Sequence, residues 1–138
     1  MINIKPLKAY TDNYIWLLET NEEVSVVDPG DAKPVLDYLS KTNKNLRDIF
    51  ITHHHFDHTA GVPELENIIS GSIYGPKNSY ELINEKVTQG DTLSSLGIKF
   101  EIIEVPGHTL DHIAFYSEEN NILFCGDTLF AGGCGRVF

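Results

Sequence analysis

Residues 51–61 read ITHHHFDHTAG, and four of the chain's six histidines fall between His53 and His58. The run is internal, is broken by Phe56 and Asp57, and follows an apolar segment, so it is not a terminal purification tag. A lone histidine is usually structural or solvated. Four within six residues, with an aspartate among them, favour a metal site over a chance polar loop. His53 and His55 are two positions apart, so on an extended backbone their imidazoles point to the same side. Asp57 and His58 follow where the chain should turn, within reach of a second position close to the first. His54 should face the opposite way and serve structure rather than metal. Neutral imidazoles and a carboxylate suit Zn²⁺, Fe²⁺ or Mn²⁺ with no need of a thiolate. Two cations roughly 3.5–4 Å apart need about this density of ligands.

The segments around the run alternate between strand and helix. LRDIFIT (46–52) reads as a short buried strand that delivers the chain into the histidines. Upstream, YIWLLET (14–20) and VSVVD (24–28) are rich in aromatic and β-branched residues, and the second stops at Asp28-Pro29-Gly30. AKPVLDYLSKTN (32–43) places Val35, Leu36 and Leu39 on one helical face, with Pro34 in the first turn. A second helix is expected across VPELENIIS (62–70). Downstream, SIYGP (72–76) and IKFEIIEV (98–105) read as strands, and IAFYS, EENN and ILFCGD (113–127) as a hairpin. This order predicts an α/β arrangement with a mixed sheet.

Three of the apolar strands end in polar clusters: FIT runs into HHHFDH, IIEV into PGHTLDH, and LFC into GDT. Loops at strand ends are held in place by the sheet and commonly carry sites. His108 follows a Pro-Gly turn that would aim it back over the sheet edge; taken alone it could equally be a capping or core histidine. Asp127 is either a turn residue or an inward carboxylate able to bridge two cations. The three clusters together are far more specific than any one of them.

Bulk properties narrow the function classes. A chain of 138 residues is one domain by length, and 41% hydrophobic with 10% aromatic content is ordinary for a globular protein. The formal charge of −10 argues against sequence-independent nucleic-acid binding and against docking on an anionic membrane. The N-terminus lacks the pattern of a signal peptide, and no apolar run is long enough to cross a bilayer. Two cysteines, Cys125 and Cys134, are too few for a disulfide framework and fit a reducing compartment. A cytoplasmic location is expected.

THHHFDH at 52–58, VPGHTL at 105–110 and CGDTLF at 125–130 resemble the metallo-β-lactamase superfamily. Within it, DNYIWLL (12–18), VVDPGDA (26–32) and GCGR (133–136) are similar to the type II glyoxalases, or hydroxyacylglutathione hydrolases. The resemblance runs from end to end of the chain. It implies an αββα sandwich of mixed sheets flanked by helices and a site for two divalent ions, zinc foremost, with iron or manganese as alternatives. His53, His55 and His108 would hold one ion and Asp57 and His58 the other, with Asp127 bridging. Asp57 would also count among the catalytic residues. Arg136 and Phe138 would contact the glutathione part of a thioester substrate, and Asp28 and His112 would support the ligands from behind. The implied reaction is hydrolysis of S-D-lactoylglutathione to glutathione and D-lactate by a metal-bridging hydroxide, a step of methylglyoxal detoxification. Cys125 and Cys134 have no part in that scheme.

The chain departs from the resembled family at Ala60 and Asp111, where Gly is common, and at Gly133, often Ala. Family members also continue for roughly a hundred residues beyond the position of Phe138. The expectation is therefore an incomplete hydrolase domain over 1–138. A further metal-binding histidine and a glutathione-binding helical domain would be absent, and an exposed edge would be prone to self-association. Two other readings stay open: a mononuclear-iron persulfide dioxygenase of the same superfamily, and a catalytically weak metal-binding fragment.

Overall fold

The computed structural model describes residues 3–9, 13–53, 56–77, 80–105, 112–125, 128–131 and 136–137, with backbone alone at residues 9, 13, 56, 57, 128–131 and 136–137. Its first sheet is built from β1 (Asn3–Ala9), β2 (Asn13–Glu19), β3 (Glu23–Val27), β4 (Asn45–Phe50), β5 (Ile73–Pro76) and β6 (Glu85–Val87), in that order. β1, β2 and β3 pair antiparallel, whereas β3 to β6 run parallel. The second sheet is a meander of β7 (Thr92–Ser95), β8 (Ile98–Glu104), β9 (Ile113–Ser117), β10 (Ile122–Cys125), β11 (Thr128–Ala131) and β12 (Arg136–Val137). Every pairing in it is antiparallel, so the expected mixed character belongs to the first sheet only.

Both faces of the first sheet are buried, and the alternation along β2 shows why. Ile15 and Leu17 point to one side, where they pack with Val24, Val26, Ala32, Val35, Leu39, Val62 and Leu65. Trp16 and Leu18 point to the other, into a core shared with Phe50, Phe100, Phe115 and Phe124. Phe50 lies at the centre of that core, stacked on Phe115 at 5.0 Å and edge-on to Phe100 at 5.5 Å. The first side is closed by α1 (Ala32–Thr42) and the single-turn α3 (Val62–Leu65). Asp31 caps α1 by accepting from the Lys33 N–H, and Asn43 ends it in the left-handed conformation. The architecture is an α/β sandwich in which α1 and α3 lie against the first sheet.

The second expected helix is cut short. Val62–Leu65 is helical, but the Ile68 N–H bonds back to Leu65, and the Ser70 and Gly71 N–H groups bond to the Leu46 and Arg47 carbonyls. Pairing with the start of β4 captures the segment that sequence alone would continue as helix.

β4 carries an irregularity that aligns the site. Val24 pairs with Leu46 but Val26 with Ile49, so Arg47 and Asp48 together stand opposite Ser25. The displaced Asp48 N–H is satisfied by Ser25 Oγ, at 3.2 Å. Asp48 itself turns between the sheets, accepting from Ser95 Oγ at 2.7 Å and from the Ser72 N–H at 2.8 Å. Ser25 and Ser95 are linked at 2.8 Å, so this buried polar knot ties the second sheet to the first.

A second buried acid secures the opposite face. Glu19, 1% exposed, receives Lys5 at 2.8 Å, Lys44 at 2.9 Å and the Tyr38 hydroxyl. Burial alone would raise its pKa, but the hydrogen bonds from Lys44, Lys5 and Tyr38 outweigh that and hold it at about 2. A folded pKa below the ordinary 4.5 gives stability that is present above pH 4.5 and lost as pH falls through about 2. Glu19→Gln should therefore lower the melting temperature at neutral pH. The gap to the wild-type chain should close across that acid window in a melting series against pH.

Candidate metal centre

At the carboxyl ends of β3 and β4 the chain places Asp28 and Thr52 side by side. Asp28 adopts φ +51°, a left-handed conformation that Asp tolerates better than most residues, and its N–H bonds to the Phe50 carbonyl at 2.7 Å. Its Oδ1 accepts the Thr52 N–H at 2.7 Å, and its Oδ2 accepts the Thr52 hydroxyl at 2.7 Å. The same Oδ2 lies 3.1 Å from Nδ1 of His58, which stands on the short helix α2 (Phe56–Thr59). The turn expected at Asp57 and His58 is this helix.

Thr52 Oγ1 is also 2.9 Å from Nδ1 of His53. The imidazoles of His53 and His58 approach to 4.3 Å between centroids, and His112 stacks on His53 at 4.7 Å. His112 is brought there by the second sheet: the Ile113 N–H bonds to the Thr52 carbonyl and the Val105 N–H to the His112 carbonyl. Asp28, His53, Thr52 and His58 are all buried.

Asp28, His53 and His58 each offer a donor atom within 4.8 Å of the others. The hydrogen bonds divide their roles. Both histidines turn Nδ1 toward a hydrogen-bonding oxygen, which leaves Nε2 as the nitrogen suited to a cation. The Asp28 oxygens accept from Thr52 and face His58, so this carboxylate orients the donors. That is the usual arrangement of a carboxylate behind metal-binding imidazoles, and the donor set fits a divalent cation.

Of the residues singled out from sequence, His53, His58, Asp28 and His112 are brought together. Asp57 lies in α2 and Arg136 in β12, each described by its backbone. His55, His108, Asp127 and Phe138 fall outside the described residues. Cys125 is half-buried on β10, and burial pushes its thiol up, which suits a packing role rather than a nucleophile. Two contributors escaped the sequence reading. In sequence Thr52 reads as the end of a strand and the first letter of THHHFDH, with no role of its own. Gly61 gives no sign in sequence that it holds the Asp28 loop, yet its N–H bonds to the Pro29 carbonyl at 2.9 Å. Among the described residues no helix is long and apolar enough to cross a membrane.

Residues 11–138 match the model of the metallo-beta-lactamase superfamily. The whole chain is 49% identical to a hydroxyacylglutathione hydrolase of Chromohalobacter salexigens and 50% identical to one of Pseudoalteromonas translucida. It covers 56% and 54% of those two proteins, so the chain spans about half the length of the relatives it matches. Among solved structures, the B3 metallo-beta-lactamase BLEG-1 is similar in fold, with a TM-score of 0.75 at 18% identity over 88% of this chain and 70% of that one. ETHE1 from Myxococcus xanthus has a TM-score of 0.68 at 24% identity, over 85% of this chain and 53% of that one. With a sandwich of two sheets, a histidine run at the end of β4 and a family match over nearly its full length, the chain belongs to the metallo-β-lactamase superfamily.

Proposed function

We propose that this chain is the catalytic half of a hydroxyacylglutathione hydrolase, cleaving S-D-lactoylglutathione to glutathione and D-lactate in cytoplasmic methylglyoxal detoxification. The observation that carries this reading is one carboxylate, Asp28, orienting two histidines of the HxHxDH run. Its setting, a chain about half identical to hydroxyacylglutathione hydrolases from end to end, supports the choice of substrate.

In this reading His53, His55 and His108 would hold one divalent cation and Asp57 and His58 a second, with Asp127 contributing to both; zinc is the first choice. When bound, such a pair supplies Lewis acidity that acidifies water and polarises a thioester carbonyl. The chain's own residues do the rest. Asp28 and Thr52 engage Nδ1 of His58 and His53, so that each ring would meet a cation through Nε2. His112 fixes the plane of His53 by stacking. Arg136 and Phe138 are assigned to the glutathione moiety. The leaving group is a thiolate, stable near neutral pH, so the reaction asks little of a general acid.

Elemental analysis of protein prepared without added metal should find about two zinc, iron or manganese ions per chain. Thiol release from S-D-lactoylglutathione should exceed that of a His55→Ala, Asp57→Ala control and should stop on chelation. Hydrolysis equal to that control would overturn the proposal. A single iron, with oxygen consumption on glutathione persulfide, would replace it with the dioxygenase reading.

A further inference from the structure

We infer that Thr52 is a positioning residue whose hydroxyl sets the tautomer of His53, so that a single carboxylate, Asp28, governs both histidines. This deepens the metal-binding reading above and rests on it.

All the polar groups of Thr52 are committed. Its N–H and hydroxyl reach the two oxygens of Asp28, its carbonyl accepts the Ile113 N–H, and its Oγ1 lies 2.9 Å from His53 Nδ1. The side chain is fully buried, so water does not offer the hydroxyl an alternative partner. A hydroxyl carries one proton, and a carboxylate only accepts. At 2.7 Å from Asp28 Oδ2, the Thr52 proton must point to the carboxylate; the reverse would set two acceptors face to face. Toward His53 the hydroxyl can then only accept, so His53 Nδ1 must carry the hydrogen. In a neutral imidazole that leaves Nε2 bare for a cation. Asp28 acts on His58 directly and on His53 through one hydroxyl. The order of atoms is His53 Nδ1–H to Thr52 Oγ1, Thr52 O–H to Asp28 Oδ2, and His58 Nδ1–H to that same Oδ2.

The relay also accounts for the residue type. Valine would match threonine in shape and keep the backbone bonds to Asp28 and Ile113, but it could not pass the constraint on. Serine could.

Thr52→Val and Thr52→Ser separate a relay from a packing role. In metal-free protein at mildly alkaline pH, long-range ¹H–¹⁵N correlation spectra should show His53 with its proton on Nδ1 in the wild-type and Thr52→Ser chains. In Thr52→Val the Nε2-protonated form should become populated. Zinc affinity, read by competition with a chromophoric chelator, should fall about tenfold in Thr52→Val and recover in Thr52→Ser. If the valine variant does not fold, the wild-type spectrum still decides: an Nε2-protonated His53 overturns the assignment. So does a folded Thr52→Val chain with unchanged tautomer and zinc affinity within twofold of wild type. The tautomer is read without substrate. A chain with this pattern but no thioester hydrolysis would keep the relay and lose the proposed reaction.

Discussion

Asp28→Asn is expected to weaken zinc binding by about ten- to a hundredfold while leaving the chain folded. Asparagine is nearly isosteric and is among the few residues that tolerate the left-handed backbone found here at φ +51°, so conformational strain changes little. The hydrogen bonding does change. If the amide oxygen takes the place of Oδ1 and accepts the Thr52 N–H, the amide nitrogen faces both the Thr52 hydroxyl and His58 Nδ1. A donor now stands where an acceptor was. His58 must then bare Nδ1 and carry its proton on Nε2, where a cation would bind. If the amide flips, two buried N–H groups oppose each other at Thr52, a cost of about 1–3 kcal/mol. Either orientation damages the site. Chelator competition measures the loss, and circular dichroism checks the fold. An affinity within twofold of wild type would mean that the histidines do not depend on this carboxylate.

The second large effect is predicted at Gly61. A Cβ there would lie 2.6 Å from both the Ala32 nitrogen and the Pro29 oxygen, and 2.7 Å from the Asp31 carbonyl carbon. The obstruction is all backbone, so no side chain can rotate away. The local conformation, φ −84° and ψ −12°, suits alanine, and lack of room is therefore the whole objection. Gly61→Ala must push the 29–32 loop outward, and that loop begins at Asp28. Overpacking of this kind costs about 1–3 kcal/mol. For a chain of this size the melting temperature should drop by about 5–10 °C. Zinc affinity should fall with it, because Asp28 and His58 sit on the two segments being separated. Thermal melting and chelator competition on the same sample would test the pair. An unchanged melting temperature would show that the loop does not need this close approach.

Much of the fold was legible because the apolar pattern is strong where both sides of a strand are buried. β2, β3, β4 and β8 and helix α1 all fall where aromatic, β-branched or helical-face residues placed them. β6 and β7, reading EKV and TLSS, were not foreseen: they are short, largely polar and held by pairing with neighbours. The helix expected over 62–70 stops after Leu65 for the same reason, since hydrogen bonds to Leu46 and Arg47 outcompete local propensity beyond it.

At the site, His53 and His58 announced themselves by clustering, and Asp28 and His112 entered through family resemblance. Thr52 could not be read in advance. A threonine ending a strand is unremarkable until the fold sets it against a carboxylate 24 residues earlier in the chain.

The extra residue opposite Ser25 has a consequence for how this protein can change. Sidedness in a strand is a matter of counting, and the count from Leu46 to His53 is odd or even according to whether the bulge is present. Substitutions between those points alter packing by degrees. Deletion of Arg47 or Asp48 would remove the bulge and leave Ile49 opposite Val26, whereas deletion of Phe50 or Ile51 would turn Thr52 away from Asp28. The stretch after the bulge should therefore accept new letters but not a new length, and variants made by random deletion should be tolerated better at Arg47 and Asp48 than between Phe50 and Thr52.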